Sequence, residues 1–375
     1  MIALRVAQGV FGALLQPATL ALLRLTFPGN RLGAAVAVRT SAIGVAAAAG
    51  PLLGGVLVAH LGWRSVFMVN VPVALVVAAA AMAVRAPAPP RSGPAERLNA
   101  VGAVLMAGVL AVGVHTLVGV PEHGWTGGPT LAGLLCTAGG AALLVVHERR
   151  AAHPIVPSVV ARSIPVTAAM TLLLLTTGGM FGALFVATFL LQDVRGLTPL
   201  AAGLRVLPLT VLMVLGAPLA GVVLRRYGPR RVAVAGSALV TLGILGMSRL
   251  TSTDAWAVSG VCFALLGAGF ATVMVTATGT VVGDAPAGYA GVVGGLKQTA
   301  MNIGPTLGIG IAAGLMQAEG FPASLRTASD SAQAAEPALL GLAALAALGL
   351  LPGLLLPTRS GSAEHPEQAT ARTTP

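Results

Sequence analysis

The stretch AIGVAAAAGPLLGG, Ala42 to Gly55, decides how the chain is read. It lies in an apolar run, residues 36–59, and a helix needs about 20 such residues to cross a bilayer. Yet it carries Pro51 and three nearby glycines, Gly50, Gly54 and Gly55. Proline removes a backbone hydrogen bond, and in water each glycine costs a helix about 1 kcal/mol against alanine. In a membrane, where apolar residues gain nothing by leaving lipid, small residues let helix backbones approach one another. Gly50 and Gly54 are four apart and share a face, Gly55 widens it, and Ala46 and Ala47 lie one turn earlier. Pro51 leaves the carbonyl of Ala47 without its helical partner. The reading is a bent, smooth-faced membrane helix suited to close packing. On it, Gly54→Leu is expected to block a close approach.

Composition carries that reading along the chain. Of 375 residues, 56% are hydrophobic and 9% charged, with a mean hydropathy of +0.89; a soluble domain carries about 25% charged residues. The net charge of +11 is not that of a nucleic-acid binder, because the basic residues sit in short gaps between apolar runs. Eleven spans are predicted: 6–23, 36–59, 65–84, 100–120, 129–146, 164–191, 199–224, 232–248, 255–281, 287–317 and 337–356. The fold class is therefore all-α, a polytopic membrane protein in contact with the lipid bilayer. Gln8, Gln16 and Pro17 interrupt the first run, which argues against a cleaved signal peptide.

Orientation follows from the basic residues between spans. One set of gaps holds Arg24, Arg31 and Arg39, then Arg85, Arg91 and Arg97, then Arg149, Arg150 and Arg162, then Arg225, Arg226, Arg230 and Arg231. The alternate gaps hold only Arg64, Arg195, Arg249 and Arg326, with Arg205 just inside a span. The first set, and the C-terminus with it, is predicted to be cytoplasmic. Trp63, Trp125 and Trp256 fall on the other side as interfacial anchors. Residues 358–375 read as a disordered cytoplasmic tail.

Several stretches resemble one family. GPLLGGVLVAHLGWRSVFMVNVP, Gly50 to Pro72, resembles the fifth-helix antiporter motif and following loop of the 14-span drug:proton antiporters of the major facilitator superfamily, with the pattern GPxxGG then GWRxxFxxNxP. RVAQGVFGALLQPATLALL, Arg5 to Leu23, resembles the family's fourth helix; Arg5, Gln8, Gly9, Gly12, Pro17 and Leu20 match, and Phe11 replaces a usual glycine. AGVVLRRYGPRR, Ala220 to Arg231, resembles the cytoplasmic loop motif GxLaDRxGxR through Gly221, Arg226, Gly228 and Arg230, with Arg225 where an acidic residue is usual. Leu190 to Pro208 and Gly267 to Gly308 resemble later parts of the second half, and Met301 stands where arginine is frequent.

The resemblance implies a major facilitator fold of two bundles about a central cavity. Residues 1–84 would supply core helices four to six. Residues 85–163 would be cytoplasmic linkers with two inserted helices, and 164–357 a C-terminal six-helix bundle. Three front helices have no counterpart, so Met1 is expected to be an internal start or the edge of an incomplete gene, and the chain alone is expected not to transport. The implied function is proton-coupled export of drugs or amphipathic natural products across the cytoplasmic membrane. The alternatives are a narrow metabolite exporter and a non-transporting remnant.

The resemblance further assigns proton coupling and switching to Arg5, Gly50, Pro51, Gly54 and Gly55. Arg5 itself does not release protons at working pH, and no Asp or Glu sits at mid-span; Asp193, Asp254 and Asp284 lie at span ends. Lys297, Gln298, Thr299 and Asn302 are read as a polar stripe on a substrate cavity, with Gln8 and Gln16. Arg205 is expected to snorkel outward and His115 to be packed and neutral. Cys136 and Cys262 are expected to be inert packing residues, and Met170, Met180 and Met213 core packing. The sequence calls for no enzyme activity, metal or organic cofactor. The expected partners are a small-molecule substrate and protons, the energy source a proton gradient, and the working form a monomer.

Overall fold

The computed structural model describes residues 7–12, 15, 19, 22, 26, 42, 46, 49–50, 53–83, 99–249, 256–284, 289–317 and 328–358. Within them the regular structure is helical. After a helical stretch at 53–61 the chain turns at Gly62, whose φ of 76° favours glycine. The turn Ser65–Met68 leads into α1, Asn70–Ala83. Then follow α2, Ala100–His123; α3, Gly128–Arg150; α4, Ile164–Phe189, prolonged by one π turn, Leu190–Val194; α5, Pro199–Tyr227; α6, Pro229–Ser248; α7, Trp256–Gly283; α8, Ala290–Gln317; α9, Ala328–Leu348; and α10, Leu350–Leu355.

Local chemistry sets the ends. The side chain of Asn99 accepts from the backbone N–H of Gly102 and caps α2. Thr198 does the same for α5 from Ala201, and Pro199 fills the first turn, where its missing N–H has no partner to lose. Pro208 and Pro218 lie inside α5, Pro305 inside α8 and Pro337 inside α9; neighbouring helices can satisfy backbone groups freed in this way.

Nine helical segments among the described residues are long and apolar enough to cross a membrane. They coincide with nine of the eleven predicted spans. The other two, 6–23 and 36–59, lie mostly outside the described residues.

Helices α4 to α10 pack into one bundle. Its main contacts are α4 with α8, α5 with α7, and α6 with α7, while α9 lies against α4, α6 and α8. One core gathers Val186, Ile244, Phe263, Leu266 and Leu342. A second, nearer the start of α4, gathers Val166, Leu172, Val273 and Leu356. The helix pair α2 and α3 docks through α2 onto α8. By contrast, α1 buries none of its residues.

Met180 is buried in the first core and Met213 packs against it, while Met170 packs against the second. Cys262 is buried, but Cys136 and His115 are exposed on α3 and α2, so neither is the packed residue the sequence suggested. Trp63 and Trp256 are exposed as interfacial anchors would be. Trp125 is half-buried instead, its indole against Gly314 of α8.

Candidate functional site

The site begins where the opening stretch meets the bundle. Gly55 is buried. A Cβ added there would lie 3.1 Å from the Cα of Leu200 and 3.1 Å from the carbonyl oxygen of Pro199. Gly55 therefore holds its helix against the first turn of α5, backbone to backbone. Gly54 is half-buried and Gly50 exposed, and a Cβ on either meets nothing within 4 Å among the described residues. Among the described residues, the close approach expected of this small-residue face is made at Gly55. Successive residues of a helix are turned by about 100°, so the contact falls to one side of that face. Arg5, Gln16 and Pro51 lie outside the described residues. Gln8 is exposed and engaged in an interaction, and Gly9 and Gly12 meet nothing within 4 Å among the described residues.

The polar stretch of α8 divides between two faces. The side-chain amide of Gln298 donates to Oδ1 of Asn302 at 3.2 Å, so these two stand one above the other. Thr299 turns its hydroxyl back to the carbonyl of Gly295. At about 100° per residue, Lys297 lies in line with Gly304 and Gly308, on the side of α8 that meets α4, well away from Asn302. It is half-buried and makes an interaction of its own. The predicted stripe is therefore Gln298 with Asn302; Lys297 belongs to the packing side, and Met301 packs against the second core.

That packing side escaped the sequence reading. A Cβ on Gly178 would come within 3.0 Å of the Gly304 carbonyl oxygen, and one on Gly182 within 2.7 Å of that of Gly308. Added carbons on Gly304 and Gly308 would run into Thr177 and the Gly178 carbonyl. The signal was present, because each pair, 178 with 182 and 304 with 308, has the four-residue spacing of small residues that bring membrane helices together. Thr177 satisfies its hydroxyl on the carbonyl of Leu173 at 2.7 Å, so the crossing leaves it no unmet polar demand.

Arg205 behaves otherwise. It lies five residues past Leu200 on α5 and is half-buried, and its Nη1 is shielded from solvent with no hydrogen-bond acceptor among the described residues. It does not simply snorkel outward. A shielded guanidinium nitrogen without an acceptor is costly and favours any oxygen that reaches it.

At the other end of α5 the loop motif is one residue long. Gly228, at φ 78°, closes α5 and opens α6. The Arg226 guanidinium lies 5.4 Å from the centre of the Tyr227 ring. The Arg230 backbone N–H donates to the carbonyl of Pro357 at 3.2 Å, tying this loop to the end of α10. Gly221 faces open space. Asp193 is exposed, Asp254 lies outside the described residues, and burial pushes the carboxyl of Asp284 above the usual range.

The amino-acid sequence that builds this bundle matches known proteins. Residues 1–309 match the Major Facilitator Superfamily. The chain is 39% identical over 316 residues to the tetracenomycin C resistance and export protein of Streptomyces glaucescens, covering 84% of this chain and 59% of that protein. It is 32% identical over 318 residues to the multidrug resistance protein Stp of Mycobacterium tuberculosis, covering 84% and 58%. It is 33% identical over 316 residues to the methylenomycin A resistance protein of Streptomyces coelicolor, covering 82% and 65%. The chain thus spans about three-fifths of the length of the first of these relatives. A match over most of the chain settles its kinship: it belongs to the major facilitator superfamily.

Proposed function

We propose that the chain works in proton-coupled export of drugs or amphipathic natural products across the cytoplasmic membrane, within the 14-span antiporter branch. One observation carries this reading: 84% of the chain aligns with a protein named for resistance to, and export of, tetracenomycin C. The site supports it. Gly55 provides one close backbone contact between the proline-glycine helix and α5, of the kind that can form in one state and part in another. Gln298 and Asn302 present hydrogen-bonding groups on the side of α8 turned away from α4. The arginine-rich gaps and the C-terminus face the cytoplasm in this reading, protons supply the energy, and the protein acts as a monomer.

Resistance profiling tests it. The reading frame containing this chain, expressed in an efflux-deficient host, should lower accumulation of several amphipathic compounds, and a protonophore should abolish the effect. Accumulation that stays the same for every compound, or that is indifferent to the protonophore, overturns the reading. A narrower exporter is the second reading, favoured because the relative at 39% identity is named for a single compound; protection confined to one compound class selects it. Reporter fusions after Pro94 and Gly124 should give opposite topology signals, and equal signals overturn the orientation.

A further inference from the structure

We propose that a cleft at the arginine-rich end of the bundle is a binding site for an anionic phospholipid. The cleft encloses about 390 Å³ between α4 and α10. Its walls include Ile164, Thr167 and Thr171 on one side and Leu351, Pro352 and Leu355 on the other. Ile164, Leu351 and Leu355 are each more than half exposed, at 61%, 61% and 62%, so the cleft opens sideways to the surface. Its two hydroxyls are spent on their own helix: Thr167 donates to the carbonyl of Ser163 at 3.0 Å, and Thr171 to that of Thr167 at 3.0 Å. A cleft with no free polar group, open towards lipid, suits a hydrocarbon chain.

The rim supplies the choice of headgroup. Arg162 is exposed and stands two residues before Ile164, on the α4 wall. On the other wall, the hydrogen bond from the Arg230 N–H to the Pro357 carbonyl places the start of α6, with exposed Arg230 and Arg231, two residues past Leu355. Residues 158–165, 228–233 and 353–358, which carry this rim, contain no Asp or Glu. Arginines therefore stand beside both walls, and these described rim segments carry no carboxylate of their own. Arginine forks match phosphate oxygens, and basic pockets between membrane helices hold anionic headgroups. A lipid with one acyl chain in the cleft and its phosphate between Arg162 and Arg230 meets both halves of the site. The site does not rest on the transport reading, and either can fail without the other.

The test is native mass spectrometry of residues 1–375, purified in detergent and equilibrated at low salt with equal amounts of phosphatidylglycerol and phosphatidylcholine of the same acyl chains. Phosphatidylglycerol should be retained in preference. Each arginine is expected to contribute about fivefold, so the double variant Arg162→Gln/Arg230→Gln should lower the ratio of the two lipids about 25-fold. Both arginines are exposed, and melting temperature checks that the variant is folded. Thr171→Trp, which fills the cleft from an exposed position, should reduce retention of both lipids. An unchanged lipid ratio in the double variant overturns the proposal, as does undiminished retention in Thr171→Trp. Displacement of phosphatidylglycerol by inorganic phosphate alone also overturns it, because it would mark an anion site with no need of the cleft.

Discussion

The crossing of α4 and α8 and the meeting of the Gly55 helix with α5 are built from the same residue type and are not the same kind of contact. At the crossing, Gly178, Gly182, Gly304 and Gly308 all face a neighbouring backbone, and Thr177 beside them is satisfied within its own helix. At α5, Gly55 is in close contact while Gly50 and Gly54 meet nothing within 4 Å among the described residues. Arg205, farther along α5 and on another side of it, keeps a shielded nitrogen without an acceptor among those residues. The first contact is closed along two helical turns, and every side chain added there collides. The second touches at one point among the described residues. A superfamily that works by moving two bundles about a central site needs both kinds: crossings that stay shut and contacts that open without breaking a core.

The largest effect should come from breaking the closed contact. Gly308→Leu would drive its side chain into the Gly178 carbonyl. The helices must then separate, and overpacking of this kind costs about 3 kcal/mol. Loss of the folded, monodisperse protein on size-exclusion chromatography is the expected outcome. A variant that purifies and melts like the parent would show that the α4–α8 crossing is as loose as the one at α5.

A smaller and more selective effect should come from the open contact. Gly55→Leu meets the backbone of Pro199 and Leu200 at the edge of the bundle, where one helix can shift. It should leave melting within about 1 kcal/mol of the parent in free-energy terms and abolish proton-driven efflux. Gly54→Leu, which meets no described residue within 4 Å, should leave both nearly unchanged. If Gly54→Leu abolishes efflux and Gly55→Leu does not, the Gly50–Gly54 face does the switching and the contact at Gly55 is only packing.

Much of this comparison was legible in the sequence, and the rest was hidden for a physical reason. Length and apolarity placed the spans: 199–224 was expected where α5 runs Pro199–Tyr227, and 232–248 where α6 runs Pro229–Ser248. Membrane helices are apolar on all sides, however, so the sequence does not mark which face meets protein and which meets lipid. Gly54 and Gly55 are adjacent and chemically identical, and only the position of α5 selects Gly55. Lys297 and Gln298 look like one polar cluster until helix geometry turns them onto different faces. The four glycines at the crossing were readable from their spacing. Arg205 was visible as a charge near a span end, but the burial of its Nη1 is a tertiary fact that no local pattern carries.

Arg205, farther along α5 than the Gly55 contact, gives the smallest expected effect. A half-buried guanidinium with one shielded, unpartnered nitrogen is a standing cost to the state described here. Replacing it with methionine keeps a long flexible side chain in the same space and removes the unmet donor. Apolar replacement of poorly compensated buried charges is often stabilising, and for a group only partly shielded the gain should be about 1 kcal/mol. Arg205→Met is therefore expected to melt slightly higher than the parent, while Arg205→Lys, which keeps the cation but loses the fork, should not. Destabilisation by Arg205→Met would show that the guanidinium's other nitrogens make interactions that outweigh the cost of the shielded one.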